Sequence, residues 1–148
     1  MNDYELIEAV AAGLRAYATA PLSACEVHEW DQPGYENTTG LVVVRIAEGA
    51  QEHIAIGDTS ESLQDDIALE IVGMMPEADT QANRRSMVTL REQLVDWLRD
   101  NRTLSAGGEL TTTNAQEPIR WSYGTTGEGD KVRRICVVRT VYAKTPDA

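Results

Sequence analysis

The sequence predicts an α+β fold, a two-layer sandwich in which a mainly antiparallel sheet of four to six strands carries two helices packed on one face. Three observations lead to this prediction. Several segments alternate apolar and polar residues, as half-buried strands do, and two longer segments repeat apolar residues at helical spacing. The segment 135–142 is apolar on both faces, so we expect both faces to be covered.

The chain length predicts a single domain. With 148 residues, it can form one core of ordinary size but not two. Its 42% hydrophobic content is that of a globular protein, so disorder is expected only in loops and tails. We therefore predict one domain over residues 1–148, with a flexible C-terminal tail at about 144–148.

Two amphipathic helices are predicted, over residues 2–19 and 80–100. Asn2 followed by Glu5 has the form of a capping box at the start of the first helix. Pro21 marks its end. Each helix has one apolar stripe, formed by Leu6, Ile7, Val10, Leu14 and Tyr17 on the first and by Met87, Leu90, Leu94, Trp97 and Leu98 on the second.

Strands are predicted where apolar and polar residues alternate. Leu41 to Ala47 forms one strand, Gly49 turns the chain, Glu52 to Ile56 returns as a second, and Ile67 to Val72 gives a third. The pattern from Cys25 to Trp30 indicates a short edge strand. Two turn-rich segments, 31–40 and 102–118, are predicted to be loops.

A hairpin is predicted from Ile119 to Lys144, because two strand-like arms flank a glycine-rich reversal. The second arm has two apolar faces, one with Ile135, Val137 and Val141 and the other with Cys136, Val138 and Tyr142. Helices can cover only one of them. Since soluble monomers seldom expose a contiguous apolar patch, we expect a neighbouring subunit to cover the other.

The charge of the chain limits its partners. A formal net charge of −11 and a pI near 4.5 disfavour binding to a phosphate backbone, so no sequence-specific nucleic-acid binding is expected. No apolar run approaches the length of a membrane span, and no secretory signal is apparent. Two cysteines far apart in the sequence do not indicate a disulfide scaffold, which favours a reducing cytoplasm.

Some residues have the spacing of metal ligands, but we do not predict a metal site. Cys25 and His28 have the spacing of half a zinc site, which His53 and Cys136 could complete. Structural zinc ligands usually come as two closely spaced pairs, whereas these last two residues are scattered along the chain. A buried cysteine and an exposed histidine on an edge strand explain the pair more simply.

Catalysis is not predicted either. Asp65, Asp66 and Glu70 could form a nuclease-like cluster that binds Mg²⁺, but no lysine follows the last acid, and a solvated or interfacial strand face is favoured. The chain has no nucleophile elbow and no phosphate-binding glycine loop. We therefore expect a protein that is not an enzyme and uses no cofactor.

The order of elements is a helix, a block of strands, a helix of about five turns, a long loop and a final hairpin ending in Val-Tyr-Ala. This order resembles the tail terminator, or tail completion, proteins of long-tailed bacteriophages. The features that carry the resemblance are Val42 to Ile46, Asp66 to Ile71, the helix through Leu90, Leu94 and Leu98, and Arg133 to Tyr142.

The resemblance implies a cofactor-free virion subunit that assembles as a ring, typically a hexamer. Such a ring caps the tail tube, stops its polymerisation and docks to the head connector. The implied partners are further copies of the chain, the tail tube protein and the head connector or neck proteins, with assembly in the host cytoplasm. Within the hairpin, the candidates for the subunit interface are Glu128, Asp130, Arg133, Arg134, Cys136, Val138 and Tyr142.

Three alternatives stay open. A different neck or head-completion protein of the same virions would have the same general features. An acidic inhibitor that mimics DNA is a different class, although the acids here are dispersed rather than arrayed on one face. An enzyme remains conceivable through the cluster at Asp65, Asp66 and Glu70.

Overall fold

The computed structural model describes residues 3–30, 40–55, 62–75, 81–106, 109–113, 118–126 and 133–144. Helix α1 spans Asp3–Arg15 and helix α2 spans Gln81–Asp100, with a short 3-10 turn at Leu22–Ala24. The strands are β1 (Glu26–Glu29), β2 (Leu41–Ala55), β3 (Ser62–Met74), β4 (Thr103–Ala106), β5 (Glu109–Thr113), β6 (Arg120–Thr126) and β7 (Arg133–Lys144).

The described strands form one seven-stranded sheet in the order β1-β2-β3-β7-β5-β4, and β6 also pairs with β7. Only β1 and β2 are parallel; the other pairs are antiparallel. Strands β5 and β6 lie one after the other along the same edge of β7, because Thr113 is opposite Tyr142 and Arg120 is opposite Arg139. The predicted α+β architecture is confirmed.

Both predicted helices are present, and the first is shorter than expected. It ends at Arg15, although Tyr17 still packs partly against the core. The second ends close to its predicted boundary, at Asp100. The Asn101 side chain donates a hydrogen bond of 2.8 Å to the Trp97 carbonyl oxygen, which satisfies one of the acceptors left open at a helix C-terminus.

The predicted turn at Gly49 is wrong. Strand β2 continues through this residue to Ala55, and Gly49 pairs with Ile67 of β3. Instead of a turn, a register shift lies nearby, between Ile46 and Glu48. The antiparallel pair accommodates this shift without reversing the chain. The predicted second strand is therefore the far end of β2, and β3 begins before Ile67.

The predicted loop at 102–118 is also wrong in part, because it contains β4 and β5. Threonine favours strands, and its repetition here outweighs the turn-forming residues around it. These two strands raise the count to seven, above the expected four to six. The predicted loop at 31–40 lies outside the described residues except for Gly40, and so does the predicted tail except for Lys144, which ends β7.

The core lies between the two helices and one face of the sheet. On β3, this face carries Ile67, Leu69 and Ile71, which are at most 4% exposed. The stripes of both helices pack against it, as do the buried side chains of β2 and β7. Burying a large aliphatic side chain contributes roughly 1.5–3 kcal/mol, so this layer accounts for much of the folding free energy.

A buried glutamine joins α2 to the segment after α1. The Gln93 side chain donates a hydrogen bond of 2.9 Å to the Ala20 carbonyl oxygen and accepts one of 3.0 Å from the Leu22 backbone N–H. Gln93 interrupts an apolar stripe and is 7% exposed. Its amide satisfies backbone groups that burial would otherwise leave unpaired.

Truncation of Trp97 to alanine should destabilise the protein by about 3–5 kcal/mol, because the side chain is largely buried and its removal leaves a cavity. The measurement is urea unfolding of Trp97→Ala beside the wild type. An unchanged midpoint would show that the indole contributes nothing to the core.

Gly13 of α1 lies against the Trp97 ring, and a Cβ added at Gly13 would overlap that ring. Helix propensity alone predicts that Gly13→Ala stabilises the protein by up to about 1 kcal/mol. We expect the opposite sign, a loss of about 1–3 kcal/mol from overpacking. The same unfolding measurement decides between them, and a stabilised variant would refute the close helix contact.

Candidate functional site

The face of the sheet turned away from the helices, called here the open face, carries two apolar rows that cross β2, β3 and β7. Cross-strand register places the rows side by side: Leu41, Met74 and Ile135 form one, and Val43, Val72 and Val137 form the other. Leu41 and Val43 are buried, whereas the other four side chains are half-buried. The open face is therefore apolar and partly accessible.

A row of charged residues lies next to the apolar rows on the same face. Register places Arg45, Glu70, Arg139 and Arg120 side by side across β2, β3, β7 and β6; we call them the ion row. Arg45 donates two hydrogen bonds to one carboxylate oxygen of Glu70, the Nε bond being 2.7 Å long. Arg139 Nε donates one of 2.5 Å to the other oxygen. The four side chains sum to a charge of about +2 at neutral pH, in a chain of net charge −11.

Glu70 is the buried member of the ion row, with 2% exposure. Burial favours the neutral carboxyl, but hydrogen bonds and charge from Arg45 and Arg139 outweigh it and hold the pKa of Glu70 below its ordinary value of 4.5. The Glu70 carboxylate is thus paired with two guanidinium groups, those of Arg45 and Arg139. The arginines remain accessible, since the side chain of Arg139 is 62% exposed.

The interface prediction for Cys136, Val138 and Tyr142 is wrong. These residues lie on the helix-covered face and are fully buried within the chain's own core. The Tyr142 hydroxyl donates a hydrogen bond of 3.0 Å to the Asn101 carbonyl oxygen. Both faces of β7 were equally apolar in sequence, and the helices cover this one. The face left accessible carries Ile135, Val137 and Val141.

The charged interface candidates are divided between the two faces. Arg133 lies on the open face, where its guanidinium approaches the Met74 sulfur at 3.9 Å. Arg134 is exposed and lies on the helix side, near α2. The two arginines, as neighbours on one strand, thus point to opposite faces of the sheet. Glu128 and Asp130 lie outside the described residues.

The side chains of three of the four residues considered for zinc are described. Burial raises the pKa of the Cys25 and Cys136 thiols to about 11, which disfavours their thiolate forms at neutral pH. The His28 ring lies 3.4 Å from the Glu26 carboxylate, and the His53 side chain lies outside the described part. Among the described residues, no group of three His, Cys, Asp or Glu side chains could hold a metal ion.

The acidic cluster considered for Mg²⁺ is divided by the strand. Asp66 and Glu70 share the open face, as expected, whereas Asp65 is one residue out of phase with them. Both carboxylate oxygens of Glu70 are already engaged by arginines. A cation there would have to displace these ion pairs.

A second surface feature lies on the helix side, where β6 meets α2, and the sequence did not predict it. Trp121 and Tyr123 are 48% and 49% exposed. The Arg91 guanidinium stacks over Trp121, 4.4 Å from the ring centre, and its Nε donates a hydrogen bond of 3.1 Å to the Tyr123 hydroxyl. The alternation of Trp121 and Tyr123 signals a shared face, but nothing in the sequence pairs them with Arg91.

Beside these aromatics lies a concavity of about 200 Å³, called here the aromatic groove. Its apolar lining includes Met87 and Val88 of α2, and Val88 is 43% exposed. The remaining lining residues are Arg84, Tyr123, Gly124, Arg134 and Ile135. The groove therefore combines an apolar lining with two arginines.

A scan against protein-family models matches no family, and a search of the curated proteins finds no significant match. Among the described residues, neither helix has both the length and the apolar composition needed to cross a bilayer.

Replacement of Glu70 by glutamine should lower the free energy of unfolding at neutral pH by about 1–3 kcal/mol, because three charge-assisted hydrogen bonds are lost or weakened. Since the folded-state pKa lies below 4.5, the stability from the carboxylate is present above that value and is lost as pH falls through the folded-state pKa. The difference between Glu70→Gln and wild type should therefore shrink below about pH 4.

Urea unfolding across this pH range measures the effect. Glu8→Gln, at an exposed position of α1, is the matched control and should change stability little at any pH. A difference between Glu70→Gln and wild type that does not depend on pH would refute the role assigned to the carboxylate.

Proposed function

We propose that this chain is a structural virion subunit, a phage tail terminator that assembles as a ring on the end of the tail tube. The observation that carries the proposal is the partly accessible apolar surface of the open face, formed by the rows through Ile135 and Val137. Apolar surface of this kind is typical of protein–protein contacts.

The ion row supports contact with another copy of the chain. An interface over this face would not leave the Glu70 carboxylate without hydrogen-bond partners, because Arg45 and Arg139 already donate to its two oxygens. The exposed guanidinium of Arg139 can donate hydrogen bonds to a carboxylate of a neighbouring copy. A neighbouring copy, with a net charge of −11, supplies many carboxylates.

The ring follows from the type of contact. The open face is apolar and locally basic, so it complements a different, acidic surface of the next subunit better than it complements itself. Such head-to-tail contacts close into rings when the rotation between subunits permits. The resemblance of the element order to tail terminators then supplies the role: to cap the tube, stop its growth and present a surface to the head connector.

The test is electron microscopy of tail tubes mixed with the protein, with mass photometry of the protein alone. We expect ring density at the tube end. Free protein that stays monomeric in dilute solution is compatible, because the ring can form on docking. Wild-type protein that leaves the tube end bare would contradict the proposal.

Val137→Asp should abolish the ring density, because it places a charge in the middle of the apolar rows. Thr89→Asp makes the same change of charge at an exposed position of α2, on the other side of the molecule, and should assemble as wild type. Thermal unfolding of both variants confirms that they fold. A folded Val137→Asp protein that still forms rings would place the contact elsewhere.

A further inference from the structure

Strand β6 has an accessible edge. All residues from 120 to 125 are exposed, and within the described part of the chain β6 pairs only with β7. A strand in this position offers its outward N–H and C=O groups to another strand. Arg120 is the only charged side chain among these six residues, so little on β6 itself discourages pairing.

The aromatic side chains of β6 are held in place before any partner arrives. Arg91 contacts both Trp121 and Tyr123, and its own side chain is only 16% exposed. Aromatic side chains fixed in this way lose little conformational freedom on binding, which favours their use in an interface.

The aromatic groove gives this edge chemical selectivity. Its apolar lining, from Met87, Val88 and Ile135, suits one apolar side chain. Arg84 and Arg134 line the same groove, and each guanidinium offers several N–H donors to a carboxylate. Charge complementarity therefore favours an acidic occupant.

We propose that β6 and the aromatic groove bind an extended, acidic segment of a partner protein, which adds to the sheet as a further strand. One apolar side chain of the segment enters the groove. Carboxylates two positions before or after it lie on the same face of the added strand and meet Arg84 and Arg134. This mode of recognition combines main-chain hydrogen bonds with a side-chain pocket. The site lies on the edge and helix side of the molecule and shares Ile135 with the rows of the open face.

Single-stranded nucleic acid is the competing ligand, since exposed aromatics and arginines also suit stacked bases and phosphates. The net charge of −11 opposes it, because binding would bring a polyanion close to many carboxylates. An extended peptide can pair with the edge of β6 that no other described strand occupies, whereas a nucleic acid would leave that edge unused.

The probe is a random peptide library of segments of about ten residues, selected on the purified full chain. Enriched peptides should carry one apolar residue with Asp or Glu two positions away. Synthetic versions are then measured by fluorescence anisotropy. Peptides without this pattern, or no enrichment at all, would overturn the proposal.

Charge-reversing variants locate the site. Arg84→Glu and Arg134→Glu should each weaken a selected peptide at least about tenfold, as should Trp121→Ala. Arg85→Glu is the matched control, because it makes the same charge change at the next position of α2 but does not line the groove. Equal weakening by Arg85→Glu would indicate diffuse attraction and refute a specific site. Thermal unfolding identifies any variant that fails to fold.

Backbone methylation of the peptide tests the strand pairing. Along an added strand, alternate N–H groups point toward β6. N-methylation of one alternate set should therefore abolish binding, while methylation of the other set should leave it nearly unchanged. Equal effects of the two sets would rule out pairing with β6, and displacement of the peptide by oligothymidylate would favour nucleic acid instead.

Discussion

The structure depends on how β7 is covered. This strand is apolar on both faces and lies inside the sheet, with β3 along one edge and β5 and β6 along the other. The helices cover the face that carries Cys136, Val138 and Tyr142. On the other face, Leu41 and Val43 are buried, and the remaining side chains of the apolar rows are half-buried. Packing within the chain therefore covers one face of β7 fully and leaves the other partly accessible.

The charges at the centre of the open face contribute to specificity as well as stability. A buried ion pair gains little over an apolar pair of similar size, but removing one partner is costly. Glu70 engages arginines on both neighbouring strands. A shift of either strand by one residue would turn these arginines to the opposite face and leave the carboxylate unpaired. The ion row therefore fixes the register of β2, β3 and β7 relative to one another.

Sequence patterns predicted the features that repeat with a fixed period. Both helices, the apolar strand centres and the terminal hairpin follow from such patterns, because burial of one face requires them. The far end of β2 was predicted as a separate strand, and β4 and β5 were missed because they carry few apolar residues and are defined by pairing with each other and with β7. Local sequence contains no information about which neighbour is available.

The two surfaces differ in predictability for a related reason. The apolar composition of the open face was apparent, but which face of β7 the helices would take was not, because both faces satisfy the same pattern. The aromatic groove joins residues of α2 to β6 across more than thirty positions of sequence, as the hydrogen bond between Arg91 and Tyr123 illustrates. Such contacts depend on helix placement over the sheet, which the periodicity of either element leaves undetermined.

The place of β7 in the sheet also affects how the protein is made. It follows all the other described strands in the chain yet lies between β3 and the pair β5 and β6. During synthesis, β3 therefore leaves the ribosome with one edge unpaired. About seventy more residues must be synthesised before β7 can pair with that edge, which takes several seconds at ordinary elongation rates. Until α2 has also been synthesised, Leu69 and Ile71 lack part of the helix layer that buries them beside this open edge. The nascent chain is a natural client for chaperones, and truncations that remove β7 should yield insoluble protein rather than a smaller folded domain.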